Sequence, residues 1–325
     1  QALKLRKERN LLGCTIQSCD NIQGNGHMAK KMLLSYVKMA EPSLVSWIET
    51  NVSFPNSMVD RITPATSLLD ISNLKETSGI EDEWPIICEP FKQWLIEDNF
   101  IAGRPPLEKV GAQFVKNVLP YEKMKLALLN AGHSVTGILG ALMGYKTIGK
   151  AINNPVIHEF LKIYMDNEVT TTLEDIEGVD LIKYKESLLK RFGNIYIEDQ
   201  VDRICSESSA KIPIFILPTV NAQLKLNGSI NHAVFVIAAW AIYSLGKNEK
   251  GVALNIKDAM KNTLNEKALA SKENPKIFLE IESIFKSLKD SNKFVGAYTN
   301  AYRNIIKNGV EKSMVELNNS VLNKK

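Results

Sequence analysis

The sequence predicts an α+β or α/β protein in which a mixed segment precedes a large all-α domain. Three observations support this fold class: a length of 325 residues, strand-like segments confined to the first third, and repeated helical patterns after Pro120. A chain of this length buries a large core and is expected to form two domains. We predict one domain over residues 1–119 and a second, helical one over residues 120–325.

The first part alternates short helical and strand-like segments. A charged helix is predicted over residues 2–10, and a helical region over residues 28–50 is interrupted at Pro42. Residues 65–82 are polar and predict a helix followed by a loop. Segments rich in β-branched and aromatic residues predict strands. These strand-like segments are LLGCTIQSCDN, NVSFPNSMVDRITP, AQFVKNV and the stretch containing Ile86, Phe91, Trp94 and Ile96.

The second part is helical, with short breaks at glycine or proline. Consecutive helices joined by loops of a few residues are typical of an all-α domain. We predict helices over 121–131, 134–150, 155–171, 178–192, 196–208, 212–225, 230–246, 256–263, 274–288 and 292–318.

Composition excludes several classes of partner. Forty basic and 36 acidic residues give a net charge of +4, with 45% hydrophobic residues, as in an ordinary globular protein. This balance argues against nucleic acid or a charged membrane as a partner. The longest apolar run, Ala233 to Tyr243, is too short to span a bilayer and predicts a buried helix.

The cysteines predict reduced thiols in a cytoplasmic protein rather than a disulfide framework. Cys14, Cys19, Cys88 and Cys205 have neither zinc-knuckle nor disulfide spacing. Cys14 and Cys19 could join His27 as metal ligands, but a strand and an apolar pocket explain them better. We therefore expect no metal.

The segment from Pro120 to Ser134 has the clearest candidate site. Proline suits the first position of a helix, and Lys125, Asn130 and His133 follow. In α-helical geometry Lys125 and His133 lie about 80° apart, with Asn130 about 60° beyond His133. The three side chains then share one broad face, and Gly132 allows close approach to the backbone. The alternative is a solvated lysine, a polar helix residue and a satisfied core histidine.

The pattern Lys125-x4-Asn130-x2-His133, inside YEKMKLALLNAGHS, resembles the active-site helix of the polyol-specific long-chain dehydrogenases. This is the mannitol 2-dehydrogenase and fructuronate reductase family. Further similar strings occur in order along essentially the whole chain: SCDN, NVSFPNSMVDRITP, CEPFKQWLIEDNFIAGRP and VDRICSESSAKIPIFILP. The resemblance implies the C-terminal part of a Rossmann-type cofactor domain followed by an all-α substrate domain.

The resemblance also implies catalytic roles. Lys125 would be the general base, and Asn130 and Asn21 would donate hydrogen bonds to the alkoxide-like oxygen. A lysine acts as a base only if its pKa falls toward neutrality, and the N-terminal end of a helix acts in that direction. For Asn21 the alternative is an Asx turn or a helix cap.

Further residues are implied to bind substrate and cofactor. By resemblance His133, Arg203 and Lys211 hold substrate hydroxyls, and Val59 and Asp60 line the nicotinamide region. From the residues alone, Arg203 could be solvated at a helix end and Lys211 could cap carbonyls. Asp60 could equally form an ion pair with its neighbour Arg61, which contributes little if exposed.

The implied cofactor is NAD or NADP. Gly24-x-Gly26-x-x-Ala29 formally matches a dinucleotide fingerprint, but the resemblance places the main phosphate-binding loop earlier than this chain begins. We therefore expect the phosphate-loop half of the cofactor domain to be missing from residues 1–119.

The implied activity is metal-independent oxidoreduction between a sugar alcohol and a ketose of the mannitol and fructose type. A hexuronate reductase acting on fructuronate or tagaturonate is the alternative within the family. A non-catalytic helical scaffold is the alternative from another class. The expected partner is a small polyol, ketose or hexuronate, and the expected state is a monomer or weak oligomer.

Overall fold

The computed structural model describes residues 1–323. Its residues pack into two compact units, one formed by residues 1–62 and 89–123 and the other by residues 63–88 and those from 124 onward. The predicted domain boundary at residues 119 and 120 stays a prediction, because a division into compactly packed units is not the same as a division into domains.

The described part of the chain contains seventeen α-helices and five strands, and α5 and α8 are each continued by a π-helical segment. The strands are β1 Cys14–Thr15, β2 Val52–Ser53, β3 Ser57–Asp60, β4 Gln93–Glu97 and β5 Gln113–Val115. The helices are α1 Ala2–Glu8, α2 Asn25–Ala40, α3 Val45–Asn51, α4 Leu68–Ser78, α5 Leu119–Lys125, α6 Ala131–Met143, α7 Ile148–Ile152, α8 Pro155–Ile163, α9 Leu181–Phe192, α10 Val201–Cys205, α11 Ser208–Phe215, α12 Leu217–Lys225, α13 Asn231–Tyr243, α14 Lys261–Ala270, α15 Glu282–Phe285, α16 Asn292–Asn308 and α17 Val310–Leu322.

The first unit contains two small sheets. β1 and β2 pair in parallel, while β3 pairs with β4 in antiparallel and β4 with β5 in parallel. The predicted strand in LLGCTIQSCDN is thus confirmed but shortened to two residues. Gly13 is required just before it, because a Cβ there would lie 1.6 Å from the carbonyl oxygen of Asn51. The core that packs around β1 and β2 consists of Val37, Leu44, Ile48, Val52 and Phe54.

The second unit is helical and is built around α13. Every residue of α13 from His232 to Tyr243 is buried, and the helix packs against α6 and α16. A helix that is apolar all round belongs in the middle of a core. The prediction that Ala233 to Tyr243 forms a buried helix is confirmed.

Several predicted helix bounds in the second half are wrong, among them 134–150, which ends at Met143, and 212–225, which is divided between α11 and α12. A continuous 25-residue helix runs from Leu119 to Met143, so Gly132 does not interrupt it. Gly309, at φ +82°, divides the predicted helix 292–318 into α16 and α17. The predicted helix 256–263 begins only at Lys261 and continues to Ala270.

The helix from Leu119 to Met143 is also long and apolar enough to cross a membrane, judged by length and composition. An 18-residue window has a mean hydropathy of 1.4, but 72% of that window is buried inside the protein. Burial of this kind is typical of a helix in a protein core, whose length and hydropathy can equal those of a membrane-spanning helix.

Candidate active site

The helix that contains Lys125, Asn130 and His133 changes geometry between the first two of them. Residues Leu126–Asn130 form a π-helical segment, in which hydrogen bonds join residues i and i+5. In an α-helix, Lys125 and Asn130 would lie about 140° apart around the axis. Because i→i+5 bonding widens the turn, residue i+5 comes to lie near residue i, and the two side chains approach one face. Such segments occur frequently at functional sites.

Lys125 and Asn130 are both withdrawn from solvent. Lys125 is 5% exposed, so the alternative of a solvated lysine is wrong. The side-chain Oδ1 of Asn130 is buried and has no hydrogen-bond partner among the described residues. Buried polar atoms are nearly always hydrogen-bonded in native proteins, and an exception calls for an explanation such as a ligand.

His133 follows one turn later and is held by an aromatic ring. Its imidazole lies 4.3 Å from the ring of Phe192, centroid to centroid, at an interplanar angle of 32°. The same phenylalanine makes the close approach expected at Gly132, where a Cβ would lie 3.0 Å from its Cε2. His133 Nε2 is buried without a hydrogen-bond partner within residues 1–323. His133 is therefore not the satisfied core histidine of the alternative interpretation.

The surroundings of His133 keep its ring neutral. Burial lowers the pKa of His133 to about 3, and the positive charges of Arg203, Arg191, Lys211 and Lys125 act in the same direction. A neutral imidazole has one nitrogen that donates and one that accepts. The ring is thus suited to contact a hydroxyl group in either sense.

A buried carboxylate, Asp199, lies beside this cation cluster. Arg203 donates to both of its oxygens, from Nε to Oδ1 at 2.8 Å and from Nη2 to Oδ2 at 2.7 Å. Asp199 Oδ2 also lies 4.0 Å from His133 Nε2. Burial raises the pKa of the Asp199 carboxyl, while the charge and hydrogen bonds of Arg203 and the charge of Lys211 oppose that rise.

The structure brings five of the eight predicted site residues into one cluster in the second unit. These are Lys125, Asn130, His133, Arg203 and Lys211. Lys211 Nζ donates to the carbonyl of Ile204 at 3.0 Å, which matches the alternative that it caps carbonyls. Burial lowers its pKa, and the charge of Arg203 adds to that effect. Sequence reasoning missed Arg191 and Asp199, although the four-residue spacing from Asp199 to Arg203 was visible.

The other three predicted residues belong to the first unit. Asn21 is exposed, in the loop between β1 and α2. The buried asparagine nearby is Asn25, the first residue of α2, whose Nδ2 donates to the carbonyls of Asp20 and Ser57, both at 3.0 Å. Its Oδ1 accepts from the backbone N–H of Ser57 at 2.9 Å. Asn25 thus fixes the loop to β3 and holds the segment that presents Asn21.

Val59 and Asp60 lie at the end of β3. Val59 is half-buried opposite Trp94, and Asp60 is buried opposite Gln93. The neighbouring Asn56 is fixed by Glu97, whose Oε2 accepts from its N–H and its Nδ2, both at 3.0 Å. This strand is therefore a rigid support for its two candidate residues.

The glycine pattern Gly24-x-Gly26 is a packing turn. Gly24 precedes α2 at φ +62°, and a Cβ on Gly26 would lie 2.4 Å from the carbonyl oxygen of Pro55. A phosphate cradle presents backbone N–H groups to its ligand, whereas Gly26 packs against carbonyl oxygens. The structure agrees with the interpretation that this pattern is not the phosphate-binding loop.

No group of three or more His, Cys, Asp or Glu residues within the described range could hold a metal ion. All four cysteines are free thiols, of which Cys205 is buried.

Comparison with known proteins identifies both halves of the chain. Residues 1–109 match the mannitol dehydrogenase Rossmann domain, and residues 117–306 match the mannitol dehydrogenase C-terminal domain. Mannitol 2-dehydrogenase from Aspergillus terreus is 41% identical over 317 residues, which is 96% of this chain and 63% of the relative. The enzyme of the same name from Pyricularia oryzae is 40% identical over the same share of each chain.

Solved structures give the same result. The Pseudomonas fluorescens mannitol 2-dehydrogenase ternary complex with NAD and D-mannitol superposes with a TM-score of 0.86 at 39% identity, over 97% of this chain and 64% of that one. A D-sorbitol dehydrogenase in substrate-free form gives a TM-score of 0.88 at 33% identity, over 96% and 65%. The chain thus spans slightly less than two thirds of the length of these relatives.

A Rossmann-type domain with a mixed sheet, followed by a helical domain, is the architecture of this chain. Within that class, the chain belongs to the mannitol dehydrogenase family. The resemblance found in the sequence is confirmed.

Proposed function

We propose that the full-length protein is an NAD(P)-dependent polyol dehydrogenase that interconverts a sugar alcohol and a ketose of the mannitol and fructose type. One observation supports this most strongly: within the described residues, Asn130 Oδ1 and His133 Nε2 are buried polar atoms without a protein partner. The hydroxyl groups of a polyol would satisfy both atoms. Similarity to mannitol 2-dehydrogenases, at about 40% identity, supports the same substrate class.

Lys125 is proposed as the general base. Oxidation of a secondary alcohol requires removal of the hydroxyl proton as hydride leaves the carbon. A lysine can accept that proton only as the neutral amine. Burial disfavours the charged form of a lysine, and Lys125 is 5% exposed. In the reverse direction the same ammonium group returns the proton to the carbonyl oxygen.

Asn130 is proposed to stabilise the charge that develops on that oxygen. Its amide group presents an acceptor oxygen or a donor NH₂ according to its rotation, and donors fixed in advance stabilise an oxyanion without reorganisation. The π-helical segment supports this role, because it brings Asn130 toward the face of Lys125. Asn21 is proposed as a second donor.

His133, Arg203 and Lys211 are proposed to hold the remaining hydroxyl groups. Neutral His133 both donates and accepts, and Arg203 retains the donors of Nη1 after its Nε and Nη2 bind Asp199. Fixing several hydroxyls orients the reacting carbon, which lowers the entropic part of the barrier.

NAD(P) would supply the hydride acceptor for oxidation and the donor for reduction. The residues present fit the nicotinamide end of such a cofactor, because half-buried Val59 offers an apolar side chain on the rigid end of β3 beside buried Asp60. The turn at Gly26 does not fit the phosphates, since it faces carbonyl oxygens. We propose that Val59 and Asp60 line the nicotinamide region.

A hexuronate reductase is the second candidate. The positive charges of Arg203, Arg191, Lys211 and Lys125 all act on His133, and a cluster of cations favours an anionic substrate.

The test is NADH and NADPH oxidation by the full-length protein with fructose and fructuronate side by side. We expect turnover of fructose, and a loss of at least 1,000-fold in kcat for Lys125→Ala, equivalent to about 4 kcal/mol. The matched control is Lys123→Ala, because Lys123 is an exposed lysine on the same helix.

Each outcome is informative. Turnover of fructuronate alone would transfer the protein to the hexuronate branch and leave the role of Lys125 intact. Folded protein without activity on either sugar would favour the non-catalytic scaffold. Equal losses for the Lys125 and Lys123 variants would remove Lys125 as the base.

A further inference from the structure

Asp199 is a buried negative charge that the proposed reaction does not use. Its side chain is 3% exposed, its two oxygens accept from Arg203, and Oδ2 lies 4.0 Å from His133 Nε2. Because no protein group within residues 1–323 hydrogen-bonds His133 Nε2, a ligand oxygen there would also lie near the Asp199 carboxylate. The charge is therefore next to the atoms proposed to bind substrate.

The backbone holds Asp199 in this position. Its carbonyl oxygen accepts from the N–H of Ile148 at 2.9 Å, and the N–H of Val201 donates to the carbonyl of Lys146 at 3.0 Å. Thr147 and Gln200 form an antiparallel bridge between these two hydrogen bonds. Asp199 and the two residues after it are thus fixed to the segment that leads into α7, and the carboxylate cannot easily move away from a ligand.

Asp199 also changes what its neighbouring cation can bind. A guanidinium recognises a carboxylate best through two parallel hydrogen bonds, and Asp199 already occupies Nε and Nη2 of Arg203. Lys211 is turned toward the carbonyls of Arg203 and Ile204, at 3.5 and 3.0 Å. Two of the cations that could attract an anionic substrate are thus engaged by the protein.

We propose that Asp199 determines substrate charge: it selects a neutral polyol or ketose and rejects a hexonate or hexuronate. A substrate hydroxyl can donate to the Asp199 carboxylate or accept from Arg203. A substrate carboxylate at the same place meets a like charge that is buried and already paired. Building a repulsive element against a competitor is a general route to specificity. The inference rests on the proposed function, since it concerns the substrate of the same site.

The experiment compares a neutral and an anionic ligand in the full-length protein. Binding of mannitol and mannonate is measured by isothermal titration calorimetry in the presence of NADH, to which neither ligand can transfer hydride, and fructose and fructuronate reduction is measured in parallel. We expect wild type to bind mannitol at least tenfold more tightly than mannonate. We expect Asp199→Asn to reduce or invert this ratio by at least tenfold and to raise fructuronate turnover relative to fructose.

Two further variants separate charge from structure. Asp202→Asn removes an exposed carboxylate three residues away and is expected to leave the ratio unchanged. Asp199→Glu keeps the charge and is expected to keep the preference for mannitol, even if turnover falls. A ratio that Asp199→Asn leaves within twofold of wild type, or that Asp202→Asn changes equally, overturns the proposal.

Failure of this inference differs from failure of the proposed function. Wild type that binds mannonate as tightly as mannitol overturns the role of Asp199, whether or not the variants fold and whichever sugar is reduced. Selective binding of mannitol without turnover of either sugar overturns the dehydrogenase proposal and supports the charge selection. Binding of neither ligand overturns both.

Discussion

Two buried carboxylates of the helical unit have similar positions and different surroundings. Asp199 and Glu168 each lie beside a histidine, His133 at 4.0 Å and His232 at 3.5 Å. Each pair also involves a π-helical segment: His133 follows the segment Leu126–Asn130, and Glu168 lies inside Tyr164–Val169. Geometry of this kind would make either pair a candidate site.

The two pairs differ in how completely the protein satisfies them. Glu168 Oε1 accepts from the N–H of His232 and from Ser229 Oγ, both at 2.8 Å, and Oε2 accepts from the N–H of Ala233 at 2.9 Å. His232 Nε2 has Asn318 Oδ1 as a partner at 3.3 Å. Glu168 therefore caps the N-terminal end of α13, where an anion is stabilising.

The pair around Asp199 is incomplete, since His133 Nε2 and Asn130 Oδ1 have no hydrogen-bond partner in the part of the chain that the structure describes. The comparison teaches that a buried Asp–His or Glu–His pair indicates a site only where donors or acceptors are left over. We therefore interpret the Glu168 pair as structural and the His133 pair as part of the proposed substrate site.

The largest effect on stability is expected at Glu168. Burial raises its pKa, but the side chain of His232 and the backbone N–H groups of Ala233 and His232 outweigh burial, so the pKa lies below its ordinary value. Glu168→Gln places an NH₂ group among donors and removes the charge at the helix end. We expect a loss of about 3 kcal/mol in the free energy of unfolding, measured by urea denaturation.

Glu186→Gln, at an exposed position on α9, is the control and should change stability by less than about 0.5 kcal/mol. Equal stabilities of Glu168→Gln and wild type would contradict the cap.

Exchanging the histidines one at a time should separate the two regions. His232 is 1% exposed and packs 4.7 Å from the ring of Phe160, so His232→Gln should lower stability by about 2 kcal/mol. His133→Gln should lower kcat/KM for fructose about 100-fold, or ~2.7 kcal/mol, with a smaller effect on stability. The measurements are urea denaturation and initial rates for both variants. A larger stability loss for His133→Gln and a larger activity loss for His232→Gln would contradict the distinction between the two pairs.

The pH dependence of stability should reveal the lowered pKa of His133. The unfolded chain protonates this residue near pH 6.5, whereas the folded protein does so only near pH 3. The unfolded state then binds more protons throughout this window, so stability falls as the pH drops through it. We expect a loss of about 2 kcal/mol between pH 7 and pH 5 that is absent in His133→Gln. Parallel urea midpoints for wild type and variant at both pH values would refute the assignment.

The smallest expected effect concerns Ser229. Ser229→Ala removes one of the donors to Glu168 Oε1 and should lower stability by about 1 kcal/mol. In a double-mutant cycle with Glu168→Gln, the two changes should be coupled, because both act on one hydrogen bond. Additive effects would indicate that the serine contributes only through its own packing.

Much of this fold follows from the sequence. The apolar run from Ala233 to Tyr243 predicts its buried helix, and Pro42 and the strand-like strings place the elements of the first unit. The boundary of α2 was predicted near Met28 but lies at Asn25, because its start is fixed by the contacts of Asn25 with β3 rather than by local propensity.

Only part of the candidate site could be predicted from the sequence. Lys125, Asn130 and His133 follow from one helical string and its resemblance to a family, and the structure brings them together with Arg203 and Lys211. Asp199 was missed because its significance depends on burial, which a carboxylate in a polar segment does not reveal. The π-helical segment was missed because α-helical periodicity was assumed throughout.

That segment gives the spacing between Lys125 and Asn130 a further meaning. A wide turn absorbs one residue more than an α-helical turn while the helix on either side continues. Removing one residue from Leu126–Leu129 would return the stretch to α geometry, with Lys and Asn then four positions apart on one face. In an alignment, a single-residue gap at this place would therefore mark a change of helix type and not the loss of the site. Spacing and backbone geometry at this place therefore change together.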